Sequence, residues 1–196
     1  RSTYGILPFL LSTAMYCHAQ SSFTVYNDGL DTVRLDSDLT ATIVGNFVSQ
    51  TNSSDGQIDN QSIIRITGNW DNNNSAENVF STSAGSVEFT GTSNQTVGGT
   101  TRTTFFDFVL NNTTSGGGVV LSTPTDISGA ITLTDGNIFS DATNVLTVLD
   151  GGSALQGSAF SFVDGPLRKV GTSSFVFHLG DGTHYRPLAI GAPTST

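Results

Sequence analysis

Among its 196 residues the sequence has one cysteine, one lysine and two glutamates. Each scarcity excludes something. A lone thiol, Cys17, forms no internal disulfide and assembles no cysteine-ligated metal site. With only Lys169, Glu77 and Glu88 of their kind, the residues that best support solvent-facing helices are nearly absent. No long window places apolar residues at i, i+3, i+4 and i+7, which argues against helices from the other side. Basic residues are sparse as well. The formal net charge is -9, and no Lys or Arg lies between Arg102 and Arg168, an interval that holds Asp107, Asp126, Asp135, Asp141, Asp150 and Asp164. Nucleic acids and anionic lipids both require a basic surface, so neither is an expected partner. An acidic, hydroxyl-rich surface fits an extracellular protein.

What the chain does have is 28 Thr, 24 Ser, 22 Gly and 14 Asn, nearly half of its length. Thr suits exposed strand positions and Gly suits turns. The hydrophobic 36% falls in short alternating runs such as residues 86–89 and 130–133. A half-buried strand needs that alternation and a disordered linker does not. About 180 residues also suffice for a core without disulfide staples. The expectation is an all-β chain.

Its central stretch repeats with a step of 23. Residues 41–47 (ATIVGNF) align with 64–70 (IRITGNW), and a second step reaches 87–91 (VEFTG). The same step carries Phe108 to Ile131 and Leu110 to Leu133, although Asn112 and Asp135 stand where the glycine would be. A repeat of this length marks a coil stacked on copies of itself, because one copy cannot bury its own apolar face. We therefore expect a parallel β-helix, or β-solenoid, over residues 39–159. Ile43 should stack on Ile66, and Phe47 on Trp70, inside the coil; Trp70 is then core and not a ligand platform. Gly, Asn and Asp are expected to supply positive φ at the corners.

The ends differ in texture. Residues 4–15 form an apolar run too short to span a bilayer, followed by Cys17, His18 and Ala19, with small residues at both positions a signal peptidase inspects. Residues 1–19 read as a secretory signal peptide cut after Ala19. Arg1 alone represents the basic segment and no initiating Met precedes it, so the natural chain is expected to start before Arg1. Residues 20–38 are expected to cap the coil, with 23–33 as a strand pair turning at Asn27, Asp28 and Gly29. Residues 51–60 read as a polar loop. From 160 to 196 we expect an antiparallel hairpin module: Phe175, Phe177 and Leu179 alternate, then Gly180, Asp181 and Gly182 turn the chain into residues 185–190. That module is expected to continue beyond Thr196.

Residues 162–171 (FVDGPLRKVG), 175–182 (FVFHLGDG) and 185–188 (YRPL) resemble a recurring segment of large surface proteins from the Bacteroidetes. Residues 85–91 (GSVEFTG), 95–98 (QTVG) and 127–136 (ISGAITLTDG) resemble the repeats of the same proteins. The resemblance covers about residues 40 to 190. It implies a β-helical stalk, export across the outer membrane and a role in adhesion, often with a type IX secretion sorting domain that this sequence lacks. It implies no catalytic residues.

Past residue 19 the histidines are His178 and His184, both near Asp181, but Ser173 and Ser174 lack the surroundings of a nucleophile, and His178 is out of phase with its apolar neighbours and should face solvent. A carbohydrate-active β-helix would pair carboxylates such as Asp135 and Asp150 on adjacent coil turns; beside Gly136 and Gly151 both also read as corner residues. Asp71, Asn73, Ser75 and Glu77 place oxygens at every second position, as a calcium loop does, but Ala76 and Thr82 stand where an EF-hand needs Gly and Glu, so a solvated turn is the default. Threonine pairs at 40/42, 123/125 and 132/134 resemble those of ice-binding solenoids, out of register with the repeat. The expectation is a secreted or cell-surface, non-enzymatic structural or adhesive segment without a cofactor. It would offer a polar face to glycan or extracellular matrix, and would meet a membrane only through its signal peptide or through domains outside this sequence. The alternatives are an enzyme using paired aspartates and a calcium-stabilised binding module.

Overall fold

The computed structural model describes residues 15–27, 32–37, 39–51, 57–74, 79–81 and 84–194, in which every regular element is a β-strand. Two long strands, β1 (Met15–Asn27) and β3 (Thr40–Thr51), are each followed by a short one, β2 (Thr32–Leu35) and β4 (Gln57–Asn60). Three-strand coil turns follow. They are β5 (Ile63–Ile66) and β6 (Trp70–Asn73), completed by Phe80; β7 (Ser86–Phe89), β8 (Gln95–Gly99) and β9 (Thr103–Phe105); β10 (Asp107–Asn111), β11 (Gly118–Leu121) and β12 (Thr125–Ile127). Next come β13 (Ala130–Asp135), β14 (Asn137–Phe139) and β15 (Leu146–Val148), then β16 (Ser153–Leu155), β17 (Val163–Asp164) and β18 (Leu167–Lys169). The chain finishes with β19 (Phe175–Phe177), β20 (Leu179–Asp181), β21 (His184–Tyr185) and β22 (Leu188–Ile190).

Parallel stacking sorts these strands into three faces. The first half of β3 leads face one (β5, β7, β10, β13, β16), and its second half leads face two (β6, β8, β11, β14, β17, β20). Face three is β9, β12, β15 and β18. The result is a β-solenoid of about five turns. The repeat is its register. Ala41 faces Ile64 and Ile64 faces Val87; Ile43 faces Ile66 and Ile66 faces Phe89; Phe47 faces Trp70. The step then shortens to 21, as Val87 meets Phe108, and returns to 23 where Phe108 meets Ile131 and Leu110 meets Leu133.

The interior is filled by these aligned side chains. Phe47 stacks on Trp70 with ring centroids 3.9 Å apart, and Phe89 on Phe108 at 4.6 Å. Phe80 and Phe105 close the aromatic group around Trp70, at 5.5 and 5.3 Å. Trp70 is fully buried and donates its indole N–H to Thr103 Oγ1 at 3.3 Å. Later turns are aliphatic, with Ile131, Leu133, Ile138, Leu146, Val148 and Val163 all buried. Each such side chain contributes about 1.5–3 kcal/mol on leaving water.

Polar side chains bind one coil turn to the next. Asn46 Oδ1 accepts the Asn69 N–H at 2.8 Å, and Asn69 Oδ1 accepts the Thr96 N–H at 2.9 Å. Asn94 does the same for Gly118 at 3.1 Å, Asp107 for Ala130 at 2.6 Å, and Asn137 for Phe162 at 3.2 Å. This corrects the role expected of Asn and Asp. The positive-φ positions among the described residues are glycines and Gln156. An amide or carboxylate aimed along the coil at the next backbone N–H removes an orphan donor, which is worth more than easing a corner that glycine already serves. At Gly99 (φ 104) a Cβ would run into the Asn72 carbonyl, so that corner needs glycine for close approach as well as for its dihedral.

Buried Gln95 ties three turns together. Its Oε1 accepts the Gly91 N–H at 2.8 Å and Asn112 Nδ2 at 2.9 Å, while Nε2 donates to the Ile66 carbonyl at 3.1 Å and the Gly68 carbonyl at 2.6 Å.

Several local expectations change. β1 and β2 do not pair with each other as a hairpin; β1 runs parallel to β3, and β2 parallel to β4. The backbone of a strand beside an open coil is best satisfied by the next turn of that coil, so the N-terminal strands join the ladders. Residues 57–60, expected in a loop, form β4, with Ile58 and Asn60 buried. The apolar residues between 105 and 110 do not make one strand: β9 ends at Phe105 and β10 begins at Asp107, with Phe106 at the corner between faces three and one. Parallel stacking also continues past residue 160 through β17, β18 and β20, and only then do β21 and β22 turn antiparallel, the former through Gly182 (φ 62).

Candidate functional site

The outward residues of each face form columns that can be read from the registers. Face one carries Thr42, Arg65, Glu88, Val109, Thr132 and Leu155. On it Arg65 Nε pairs with Glu88 Oε2 at 2.7 Å, and Asn111 Nδ2 donates to the other Glu88 oxygen at 3.2 Å. Arg65, Glu88 and Val109 interrupt the threonines, and Thr125 is buried, so the threonine pairs make no continuous row. Face two carries Thr96, Val120, Phe139, Asp164 and Gly180 in one column and Val48, Asp71 and Gly98 in another.

Asp71 and Asn73, the first two residues of the expected calcium loop, lie in β6 and not in a turn. They share the outer side of the strand, while Trp70, Asn72 and Asn74 point inward and are buried. Asn72 is held inside because its amide donates to the Arg102 carbonyl at 2.8 Å and accepts the Asn74 N–H at 3.0 Å. Asn73 Oδ1 is taken by the Thr100 N–H at 3.0 Å. Ser75 and Glu77 lie outside the described residues. Burial raises the pKa of the Asp71 carboxyl above its ordinary value. Among the described residues, no three His, Cys, Asp or Glu side chains converge as a metal centre would require.

Asp135 and Asp150 are not neighbours. Asp135 ends β13, whereas Asp150 precedes β16, which pairs with the start of β13 at Ala130. The length of β13 separates their corners, roughly 16 Å at about 3.3 Å per residue. Each carboxylate instead accepts the N–H of the glycine after it, at 2.9 Å for Gly136 and 3.1 Å for Gly151.

The histidines also separate. His184 is exposed, opposite Asp181 across the β20–β21 pair, and its Nδ1 lies 3.4 Å from Thr183 Oγ1. His178 does not face solvent as expected. It is half-buried, with Nδ1 on the Tyr185 hydroxyl, and the two rings are stacked at 6.0 Å. It sits between two strands, where alternation no longer governs direction. Ser173 and Ser174 are exposed.

Face three holds an arrangement that sequence reasoning missed. Its outward column is Thr104, Asp126, Thr147 and Arg168. Arg102 Nη1 reaches Asp126 Oδ2 at 2.8 Å from the preceding turn, while Asp126 Oδ1 is buried and unpartnered. Asp126 and Thr147 are each only 6% exposed although they point outward. Arg168 is exposed and forms no ion pair among the described residues. Arg102 and Arg168 bracket an acidic interval in sequence, yet the coil folds that interval back and sets both guanidinium groups beside its third face. Only the register could have revealed this. Comparison with protein-family models, curated proteins and solved structures finds no match for this chain.

Proposed function

We propose that the chain is a structural and adhesive β-solenoid segment of a larger exported, cell-surface protein, and that it presents a polar face to glycan or matrix. The observation that supports this reading is the locking of each coil turn to the next through Asn and Asp acceptors, over a core filled without interruption. Such stacking makes a stiff rod in which each turn depends on its neighbours. Stiffness over length serves a spacer, and side chains repeated at strand spacing along a face suit weak, repeated contacts. Face three leaves the guanidinium groups of Arg102 and Arg168 and the partly exposed Thr104 hydroxyl open to sugar hydroxyls, over buried Asp126 and Thr147, so glycan contact is proposed there.

Export is proposed from residues 1–19 and from the resemblance to Bacteroidetes surface proteins delivered by type IX secretion. Cleavage after Ala19 would take Met15 to His18 off their ladder on Ala41 to Val44 and would keep that of residues 22–27 on 46–51, the two halves being separated by a register shift.

Two measurements test the reading. The exported protein should begin at Gln20 by N-terminal sequencing; a retained segment 1–19 would refute the export step. The purified chain should be held on immobilised glycans or matrix proteins, and Arg168→Ala should weaken that retention several-fold. No retention on any of them would sink the adhesive half. New reducing ends released from those glycans would replace it with an enzymatic reading.

A further inference from the structure

We propose that His178 is an acid-sensitive latch that fastens the C-terminal β20–β21 hairpin to the last turn of the coil. This goes beyond the scaffold reading and does not depend on it. His178 lies between β19 and β20, where its backbone carbonyl accepts the Val163 N–H at 2.9 Å. Its ring reaches in two directions. Nδ1 bonds the Tyr185 hydroxyl on β21, and the ring lies directly over Gly157, in the segment that follows β16 of the coil. One imidazole therefore bridges the hairpin and the coil. Gly157 accommodates it, because a Cβ there would overlap the ring.

Beneath the latch is a small cluster outside the coil interior. Tyr185 leans on Phe162 with centroids 6.4 Å apart, and Gly180 leaves room for the same ring. Phe162 is 1% exposed yet is not part of the central core cluster; the hairpin region is what covers it. Little else holds the hairpin down. Beyond the short β17–β20 pairing, Gly182 N–H donates to Asp164 Oδ2 at 3.0 Å, and residues 181–184 are exposed.

The neutral ring satisfies this geometry fully. Nδ1 accepts the tyrosine O–H while the rest of the ring packs over Gly157. Protonation places a charge in a half-buried site and aims a second N–H at a hydroxyl that must then turn its own proton away. No neighbouring group compensates. β16 and β19 carry no charged residue; β17 carries Asp164, engaged with Gly182; β20 carries Asp181; β21 carries His184 and Tyr185, with Arg186 following. Burial lowers the His178 pKa below the ordinary 6.5, and the neighbouring Ala154 backbone opposes this in part. With the folded value below the open value, the closed hairpin keeps its full stability above pH 6.5. It loses stability as the pH falls from there toward the folded value. The slope is at most about tenfold in the opening equilibrium per pH unit, for one proton.

Amide hydrogen exchange at Gly182 and Arg186, corrected for intrinsic rates and followed from pH 7.5 to 5, tests this in the full chain. Opening should rise up to about tenfold per unit below pH 6.5 in the wild type and in His184→Gln, and should stay flat in His178→Gln. A pH-independent wild type, or a dependence that survives in His178→Gln, would overturn the proposal. Tyr185→Phe keeps the imidazole and removes its hydroxyl partner. It should open the hairpin several-fold more at pH 7.5, and an unchanged opening there would equally refute the latch, even if His178→Gln did not fold.

Discussion

Gln95→Met is the sharpest test of how the coil is held together. Methionine matches glutamine in length and fits the same interior position, so the change removes hydrogen bonds with little change in volume. Four contacts disappear, but their cost is unequal. The Ile66 carbonyl keeps the Thr90 N–H at 2.9 Å, and Asn112 Nδ2 keeps the Ser93 carbonyl at 2.8 Å. The Gly91 N–H and the Gly68 carbonyl lose their side-chain partner inside the fold. At about 1–3 kcal/mol for each orphaned group, partly offset by burying a thioether in place of an amide, the loss should be about 3 kcal/mol. For a chain of this size that corresponds to a fall in Tm of about 6–12 °C. Urea unfolding of both proteins, followed by circular dichroism, reads the difference directly. A loss below about 1 kcal/mol would show that water or backbone movement satisfies those groups, and that Gln95 does not tie the turns.

Trp70→Ala should cost about 4 kcal/mol in the same assay, because it empties the centre of the aromatic stack and leaves the Thr103 hydroxyl without its indole donor. Arg65→Ala should change stability by less than about 1 kcal/mol, since the guanidinium side chain of the Arg65–Glu88 pair is 46% exposed; thermal melts at low and high salt should agree. Asp71→Asn should raise Tm at pH 7. Burial holds the Asp71 pKa above its ordinary 3.8, so ionisation weakens the fold at neutral pH, and the gain should shrink as the pH approaches that value. A Tm that falls in Asp71→Asn at pH 7 would contradict that sign.

The coil was legible in the sequence because strand register is a distance along the chain. Ile43, Ile66 and Phe89 share a face at equal steps, and parallel stacking converts equal steps into contacts. The shorter step from Phe89 to Leu110 blurred the pattern because the intervening turn omits two residues without breaking the ladder. Strands made of polar residues were harder to see. Residues 57–60 and 70–73 resemble loops by composition, and Asn60 and Asn72 enter the interior only because backbone groups of neighbouring turns meet their amides. The face-three column was invisible for a different reason. Thr104, Asp126, Thr147 and Arg168 are about 21 residues apart in sequence, and nothing in residue chemistry links them until the coil closes.

The rings around Trp70 belong to the early turns, from Phe47 to Phe108, whereas the later turns are packed with aliphatic side chains. Since Trp70 is the sole tryptophan, its emission is a local probe: it watches one end of the rod while circular dichroism averages the whole. In a molecule where each turn leans only on its neighbours, unravelling can start from either tip and travel. The lag between the two signals during a melt would therefore give the direction of that travel, with no label added.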